Sequence, residues 1–190
     1  MKIRTKQFPS KSDAQALFLD RDGTLNRRLI DNYVTRPEDF VILPGVLEAL
    51  AMLSQRFEHI FMVTNQQGIG KGLMTEADLK QINNGFLQDV QSTGGRIDQV
   101  YFCPSLKSEN SFFRKPNIGM ALQAKKEYPS LVLKECVMVG DTKTDMMFGH
   151  RAGMTTVLVG EERQLTTTHP ELVDFYFETL LDFARFLLKK

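Results

Sequence analysis

The feature that most constrains this chain is a regular alternation of short apolar runs with longer amphipathic segments along its 190 residues. Each apolar run is continuous and is bounded by polar or turn residues, which is typical of parallel strands covered on both faces. The predicted strands span residues 16–20, 59–65, 99–104, 136–141 and 155–160.

The segments between these runs carry apolar residues at helical spacing. The clearest stripe runs from Leu79 to Val90, and Thr75 with Asp78 predicts a capping box at its start. Further helices are predicted around residues 46–53, 120–124, 145–151 and 180–188. This alternation of β and α units indicates an α/β fold with a Rossmann-like, doubly wound parallel sheet.

The composition is typical of one globular domain over residues 1–190, since 42% of the residues are hydrophobic and 25% are charged. A net charge of +1, from 24 basic and 23 acidic residues, favours neither a nucleic acid nor a membrane as a partner. The two cysteines form no disulfide framework, and we find no signal peptide and no apolar run of transmembrane length. We therefore expect a cytoplasmic protein.

Two connections lack clear periodicity and are long for a compact domain. Residues 26–44 follow the first predicted strand, and residues 104–116 follow the third. Long loops in a compact domain are often functional, so we expect the first to act as a flap-like loop and the second as a substrate loop.

Acidic residues follow two of the predicted strands, as Asp20 and Asp22 in FLDRDGTLN and as Asp141 and Asp145 in GDTKTD. In an extended segment Asp20 and Asp22 point to one side, while Arg21 is directed elsewhere. The carboxyl ends of parallel strands share one sheet edge, so these acids should converge and repel unless a cation joins them. A simple Asp-Gly turn would explain the first motif alone, but not both. Carboxylates and phosphate oxygens suit Mg²⁺.

The second predicted strand leads into VTNQQGIGKG, where Thr64, Asn65 and Gln66 offer a hydroxyl and amides at phosphate-binding range. The glycines that follow would let the backbone approach a ligand, but the spacing matches neither a P-loop nor a dinucleotide-binding motif. The alternative for residues 68–72 is a flexible surface loop with Lys71 in solvent.

A basic pair, Arg114 and Lys115, stands in FFRKPN at the end of the predicted substrate loop. Such a pair is most often a solvated surface feature. Opposite several acids, however, a fixed cation can bind phosphate oxygens and keep a nucleophilic carboxylate charged.

The segments FLDRDGTLN, VTN, RKP and VGDTKTD resemble, in this order, the four motifs of the haloacid dehalogenase (HAD) superfamily of phosphohydrolases. The resemblance spans about residues 17–159. DRDGTLN, TNQQGIGKG and RKPNIGM are also similar to the D,D-heptose 1,7-bisphosphate phosphatase and histidinol-phosphatase branch. Members of that branch have no large cap domain, and loops cover their active sites instead.

The resemblance implies a Mg²⁺-dependent phosphatase that forms an aspartyl-phosphate. Asp20 would be the nucleophile, and Asp22 would be the general acid and then the general base. The metal ligands would be Asp20, the backbone carbonyl of Asp22, and Asp141. Asp145 would orient Lys115 or a metal-bound water.

The resemblance also implies which residues bind the substrate. Thr64 and Lys115 would bind the transferred phosphoryl group, with help from Asn65 and Gln66. Arg114 would bind a second phosphate or another substrate oxygen. Weaker candidates for recognition, on the flap-like loop, are Asp31 and Tyr33.

One departure from the branch concerns zinc. Its members typically carry a Cys/His zinc-binding loop just before RKP, but residues 104–116 contain neither Cys nor His, and Cys103 alone cannot make a four-ligand site. We therefore expect no structural zinc and interpret Cys103 as loop or core packing. A smaller departure is Gln67, where a small residue is expected.

The resemblance implies a small phosphorylated metabolite as the substrate, such as heptose 1,7-bisphosphate or a related sugar phosphate. Histidinol phosphate is the alternative within the branch. A nucleic-acid 3′-phosphatase is disfavoured by the neutral charge, and a receiver or another non-catalytic phosphoacceptor module by Asp22, which would turn over a phosphoaspartate. We expect a monomer or a weak homo-oligomer.

Overall fold

The structure is a computed structural model that describes residue 8 and residues 15–188. It contains one six-stranded, all-parallel sheet with the strand order β3-β2-β1-β4-β5-β6. The strands are β1 (Ala16–Leu19), β2 (His59–Asn65), β3 (Gln99–Cys103), β4 (Val137–Gly140), β5 (Thr155–Val159) and β6 (Phe175–Phe177).

Seven α-helices and three short 3-10 helices connect or follow these strands in the described residues. The α-helices are α1 (Val46–Ser54), α2 (Gln67–Gly70), α3 (Glu76–Ser92), α4 (Gly119–Glu127), α5 (Lys143–Arg151), α6 (Leu165–Thr168) and α7 (Leu180–Leu188). The 3-10 helices are Pro37–Asp39, Lys107–Glu109 and Leu133–Glu135.

The predicted α/β fold is confirmed, with the five predicted strands and the five longer helices in place. The Thr75–Asp78 capping box is present at the start of α3. The sequence did not reveal β6, because its three residues are only half-buried and give no continuous buried run. It also missed α2 and α6, which are single turns of four residues.

The sheet is covered on both faces because neighbouring residues of each strand point to opposite sides. On one face, Leu17 and Leu19 of β1 pack in a core cluster with α1 and α7. On the other face, Phe18 packs with residues of α4 and α5. Both faces of β1 are therefore buried, as its continuous apolar run predicts.

The strand order creates the place where a site can form. From β1 the chain moves out to β2 and β3 and then returns to β4 on the opposite side of β1. In open parallel sheets, ligands bind beyond the carboxyl ends of the strands at such a switch point. The described residues contain no inserted cap domain. The flap-like loop is closed at its base by an antiparallel bridge between Asn26 and Ile42.

Candidate active site

A cavity of about 580 Å³ lies beyond the carboxyl ends of β1, β2 and β4. Its lining includes every side chain that the sequence singled out for the site except Gln66 and Asp141, which contact lining residues directly. We give names to two sets of its lining residues, a buried set called the inner group and a set at the mouth, half-buried or exposed, called the outer group. The inner group is Asp20, Thr64, Lys115 and Asp145, and the outer group is Tyr33, Gln67, Lys71 and Arg114.

The inner group centres on the ammonium of Lys115. Its Nζ lies 2.5 Å from Oδ1 of Asp20 and 2.7 Å from Oδ1 of Asp145, and it also donates to the carbonyl of Val63 at 2.7 Å. All three charged side chains are almost fully buried. Burial lowers the pKa of Lys115, but Asp145 and Asp20 outweigh this effect and raise that pKa above its ordinary value. Lys115 is therefore a fixed positive charge.

Lys115 is held in place both at its backbone and at its ammonium. The side-chain amide of Asn65 donates to the carbonyl of Lys115 and accepts from its backbone N–H, both at 3.0 Å. Asp145 is fixed in turn, because its Oδ2 accepts hydrogen bonds from the backbone N–H and the hydroxyl of Thr142. The Asn65 amide thus anchors the substrate loop to the end of β2, a contact that the sequence did not reveal.

Asp22 is bound as an ionised carboxylate. Arg21 donates to both of its oxygens at 3.0 and 3.1 Å, and Asn26 and Gln66 add one hydrogen bond each. Burial raises the pKa of Asp22, but the charge and the hydrogen bonds of Arg21, with those of Asn26 and Gln66, outweigh it and lower the pKa below its ordinary value. The Gln66 amide also donates to the hydroxyl of Thr64 at 2.7 Å, so it orients two site residues.

The prediction that Arg21 points away from its acidic neighbours is wrong. Strand β1 ends at Leu19, so the alternation of an extended chain does not continue through Arg21. Its guanidinium, about 1% exposed, folds back onto Asp22. The carboxylates of Asp20 and Asp22 nevertheless both line the cavity, as predicted.

Gly23 explains how Asp141 can approach the first acidic motif. Its φ of +98° belongs to the left-handed region, which disfavours side chains. A Cβ at this position would lie 2.0 Å from Oδ2 of Asp141. The glycine therefore lets the loop after β1 and the end of β4 come together.

A single nitrogen marks the point where the oxygens converge. Nη2 of Arg28 lies 2.6 Å from the carbonyl oxygen of Asp22, 2.8 Å from Oδ1 of Asp141 and 3.8 Å from Oδ2 of Asp20. These are the three groups that the resemblance implies as metal ligands. The position suits a positive charge with oxygen ligands, which is the preference of Mg²⁺.

The acids around this point also carry more negative charge than the protein neutralises. Burial first, and repulsion from Asp145 and Asp22, raise the pKa of Asp20 to about 6 despite Lys115. Burial and repulsion from Asp20 and Asp145 raise the pKa of Asp141 to about 8. Ligand oxygens of Asp20, Asp141 and Asp145 lie within 4.8 Å of one another. The residues present therefore fit a divalent cation.

The outer group connects the loops that surround the cavity mouth. The side-chain amide of Gln67 donates to the hydroxyl of Tyr33 at 2.7 Å, and Nη2 of Arg114 reaches Oε1 of the same amide at 3.5 Å. The ammonium of Lys71 lies 5.1 Å from the centroid of the Tyr33 ring, a cation–π distance. This end of the cavity therefore carries two cations, Lys71 and Arg114.

Comparison with known proteins shows the family to which this chain belongs. A family model described as HAD-hydrolase-like matches residues 112–183. The D-glycero-beta-D-manno-heptose-1,7-bisphosphate 7-phosphatase of Helicobacter pylori (strain 26695) is 33% identical over 173 residues, which cover 90% of this chain and 98% of that protein. The chain belongs to the HAD-like phosphatases, in the heptose bisphosphate phosphatase branch. As a member of this phosphatase branch it is a hydrolase of phosphoric monoesters.

Other relatives place the HAD-like phosphatase in the same branch. The D-glycero-alpha-D-manno-heptose-1,7-bisphosphate 7-phosphatase of Campylobacter jejuni is 37% identical over 151 residues, which cover 79% of this chain and 85% of that protein. Among solved structures, D,D-heptose 1.7-bisphosphate phosphatase from B. bronchiseptica, complexed with magnesium and phosphate, superimposes with a TM-score of 0.84. It is 30% identical, and the match covers 92% of this chain and 98% of that one.

Sequence reasoning missed two arginines of this HAD-like phosphatase site. Arg21 was expected to point elsewhere, and Arg28 was not considered, although both are basic residues close to the DRDG motif. Their position near two acids was the available signal. The weaker candidates for substrate recognition, Asp31 and Tyr33, both line the cavity.

The substrate loop is held by hydrogen bonds in the described structure. Asn117 donates to the carbonyl of Ser111, and the Ser111 hydroxyl lies 3.8 Å from Sγ of Cys103. The thiols of Cys103 and Cys136 are both free and buried. The interpretation of Cys103 as packing agrees with its burial, and the absence of zinc stays a prediction.

No helix in the described part of the chain could cross a membrane.

Proposed function

We propose that this phosphatase removes the 7-phosphate from D-glycero-D-manno-heptose 1,7-bisphosphate in a Mg²⁺-dependent reaction. The observation that carries the proposal is the pairing of a buried nucleophile–cation unit, Asp20 with Lys115, with a second cationic region at the cavity mouth. A bisphosphate carries two phosphates and matches two cationic regions. The names of the relatives support this substrate.

Asp20, Asp141 and the carbonyl of Asp22 would hold the magnesium ion. When bound, it supplies positive charge that offsets the repulsion between an attacking carboxylate and a phosphate. Arg28 now occupies the point between these oxygens, so its guanidinium must move aside for the ion. Arg28 is 44% exposed and has room to do so.

Asp20 would attack phosphorus, and the bond between phosphorus and the sugar oxygen would break, giving an aspartyl-phosphate. Lys115 supports this step in two ways. Its charge keeps the carboxylate of Asp20 ionised although burial opposes ionisation. It can also contact a phosphoryl oxygen, together with the hydroxyl of Thr64 and donors from residues 65–66. Asp145 positions the Lys115 ammonium from the far side.

Asp22 would donate a proton to the departing sugar oxygen and later take one from the water that hydrolyses the aspartyl-phosphate. In the structure it is ionised and ready for the second task. For the first task it must gain a proton, and the arriving negative phosphate favours this by raising the pKa of a nearby carboxylate. The four hydrogen bonds from Arg21, Asn26 and Gln66 hold it in one orientation.

Arg114 and Lys71 would bind the second phosphate, which is not cleaved. A guanidinium can donate two parallel hydrogen bonds to phosphate oxygens. The burial of the inner group and the exposure of the outer group give the two phosphates different surroundings, so one is cleaved and the other serves for recognition.

The test is a phosphatase assay with Mg²⁺ over both anomers of heptose 1,7-bisphosphate, histidinol phosphate and a 3′-phosphorylated oligonucleotide, with product identification by ³¹P NMR. We expect the fastest reaction on one anomer of the bisphosphate, with loss of the 7-phosphate and retention of the 1-phosphate. Faster hydrolysis of histidinol phosphate, or loss of the 1-phosphate first, would contradict the proposal.

We also propose a cytoplasmic location and a monomeric or weakly associating state. Two free, buried thiols support a reducing compartment. Size-exclusion chromatography with light scattering measures the mass in solution.

A further inference from the structure

The side chain of Gln67 connects the two loops that form the cavity mouth. Gln67 is the first residue of α2 and is separated from the end of β2 by one residue, Gln66. Its Nε2 donates to the Tyr33 hydroxyl of the flap-like loop at 2.7 Å. Its Oε1 accepts from Nη2 of Arg114 in the substrate loop at 3.5 Å, the outer limit for a hydrogen bond.

The flap-like loop rests on α2 beside this connection. A Cβ added to Gly68 would lie 3.3 Å from Cγ of Tyr33, so the ring packs directly on the helix backbone. Lys71, just after α2, places its ammonium 5.1 Å from the centre of the same ring. Tyr33 is therefore located by the glycine beneath it and by Gln67 at its hydroxyl.

Arg114 is fixed on its other side by the substrate loop itself, since its Nη1 donates to the carbonyl of Ser105 at 3.0 Å. These two contacts use two of the five guanidinium N–H groups, and the others can serve a ligand. The weaker of the two contacts is the one to Gln67. A change at Gln67 frees the Nη2 side of the guanidinium, while the bond from Nη1 to Ser105 still holds Arg114 on the loop.

We propose that Gln67 is a positioning residue for recognition of the phosphate that is not cleaved. It holds Tyr33 and Arg114 at a set separation, so that Arg114 and Lys71 face the same part of the cavity. This inference rests on the proposed bisphosphate substrate. It assigns a role to a side chain that touches neither the nucleophile nor the reacting phosphate.

The direct test is Gln67→Met, which keeps the length of the side chain but removes both hydrogen bonds. We expect KM for the bisphosphate to rise about tenfold with kcat within about twofold, because binding of the distal phosphate is affected and the chemical step is not. The KM for phenyl phosphate, which has no second phosphate, should be unchanged. Gln88→Met, an exposed change on α3, is the matched control.

A second variant tests whether the connection to the flap-like loop matters. Tyr33→Phe removes only the hydroxyl that Gln67 contacts. If the two residues act through this bond, the single variant Tyr33→Phe should raise KM for the bisphosphate. The same change should raise KM little further in the Gln67→Met background, because the effects of coupled residues are not additive.

Each outcome has a clear meaning. An unchanged KM for the bisphosphate in Gln67→Met overturns the inference and leaves the proposed function in place. An equal rise of KM for both substrates, or a large fall in kcat, shows a general structural role and also overturns it. If the unaltered enzyme fails to favour the bisphosphate over phenyl phosphate, the proposed function fails, and the inference fails with it.

Discussion

At the buried end of the cavity, Lys115 contacts two carboxylates at 2.5 and 2.7 Å, whereas at its mouth Arg114 reaches Gln67 only at 3.5 Å. The inner side chains come from the ends of strands and from segments tied directly to them. The outer ones come from two loops and a single turn of helix. The difference suggests a division between a rigid region for chemistry and a more adaptable region for recognition.

This division has a consequence for mutations. Changes at the inner end should lower kcat, because they remove groups that act on the reacting atoms. Changes at the mouth should raise KM, because they affect binding of the rest of the substrate. An outer variant that abolished turnover, or an inner variant that changed only KM, would break the comparison.

The largest effect is expected for Asp20→Asn. An amide oxygen is a poor nucleophile, so Mg²⁺-dependent phosphate release should fall more than about a thousandfold. The variant should keep the far-ultraviolet circular dichroism of the original protein, since the side chains have almost the same shape. Activity near the original level in a folded variant would remove Asp20 from the nucleophilic role.

A second prediction concerns the acids of the inner end and pH. In the absence of divalent cations, Asp20 and Asp141 bind protons more tightly in the folded than in the unfolded chain, with pKa values raised to about 6 and about 8. Their stabilising effect is complete at low pH and is lost as pH rises through these values. The melting temperature in EDTA should therefore fall from about pH 5 to about pH 9.

Magnesium should reverse this trend, because the ion binds the ionised carboxylates. The rise in melting temperature that Mg²⁺ causes should grow over the same pH range. Asp141→Asn is the matched variant and should flatten the decline above about pH 7. A melting temperature in EDTA that increases with pH in the original protein, or a Mg²⁺ effect independent of pH, would contradict the assignment.

A smaller effect is expected for Arg28→Ala. This change removes the guanidinium that lies among the three oxygens, so a divalent cation no longer has to displace it. Affinity for Mn²⁺, measured by electron paramagnetic resonance without substrate, should increase about threefold to tenfold. Arg27→Ala is the control, because Arg27 is also exposed but does not line the cavity. Weaker binding in Arg28→Ala would show that Arg28 does not compete with the ion.

The sequence predicted the inner end better than the mouth, for a physical reason. Asp20 and Asp141 follow strands and Thr64 lies near the end of one, and parallel strands bring their carboxyl ends to one sheet edge whatever the loops do. Lys115 was predicted as a fixed cation opposite the acids, and the family resemblance implied its role in binding the phosphoryl group. Its distances to Asp20 and Asp145 follow from tertiary packing.

The contacts of Arg21, Arg28 and Gln67 were not predictable from local patterns. Strand β1 ends at Leu19, and the turn at Gly23 redirects the chain that follows. The partner of Gln67 Oε1, Arg114, lies 47 positions away, in a loop without periodicity. Strand β6 was missed for a related reason, since three half-buried residues carry too little pattern.

The central claim is that the two aspartates of DRDG act unequally, Asp20 as the nucleophile and Asp22 as the proton carrier. Asp22→Asn tests it most directly. Phenoxide is a better leaving group than a sugar alkoxide and depends less on a proton donor, so the first step should slow less in this variant than the second, which needs a base. The new side chain keeps one acceptor oxygen, which can still accept two of the four hydrogen bonds that Arg21, Asn26 and Gln66 donate to Asp22.

Mass spectrometry of Asp22→Asn quenched in acid during turnover of phenyl phosphate with Mg²⁺ reads out this claim. The account predicts a protein heavier by one phosphoryl group, with the modification in the peptide that contains Asp20, and none in the double variant with Asp20→Asn. Phosphate on another residue, or turnover at the original rate without a trapped intermediate, would contradict it.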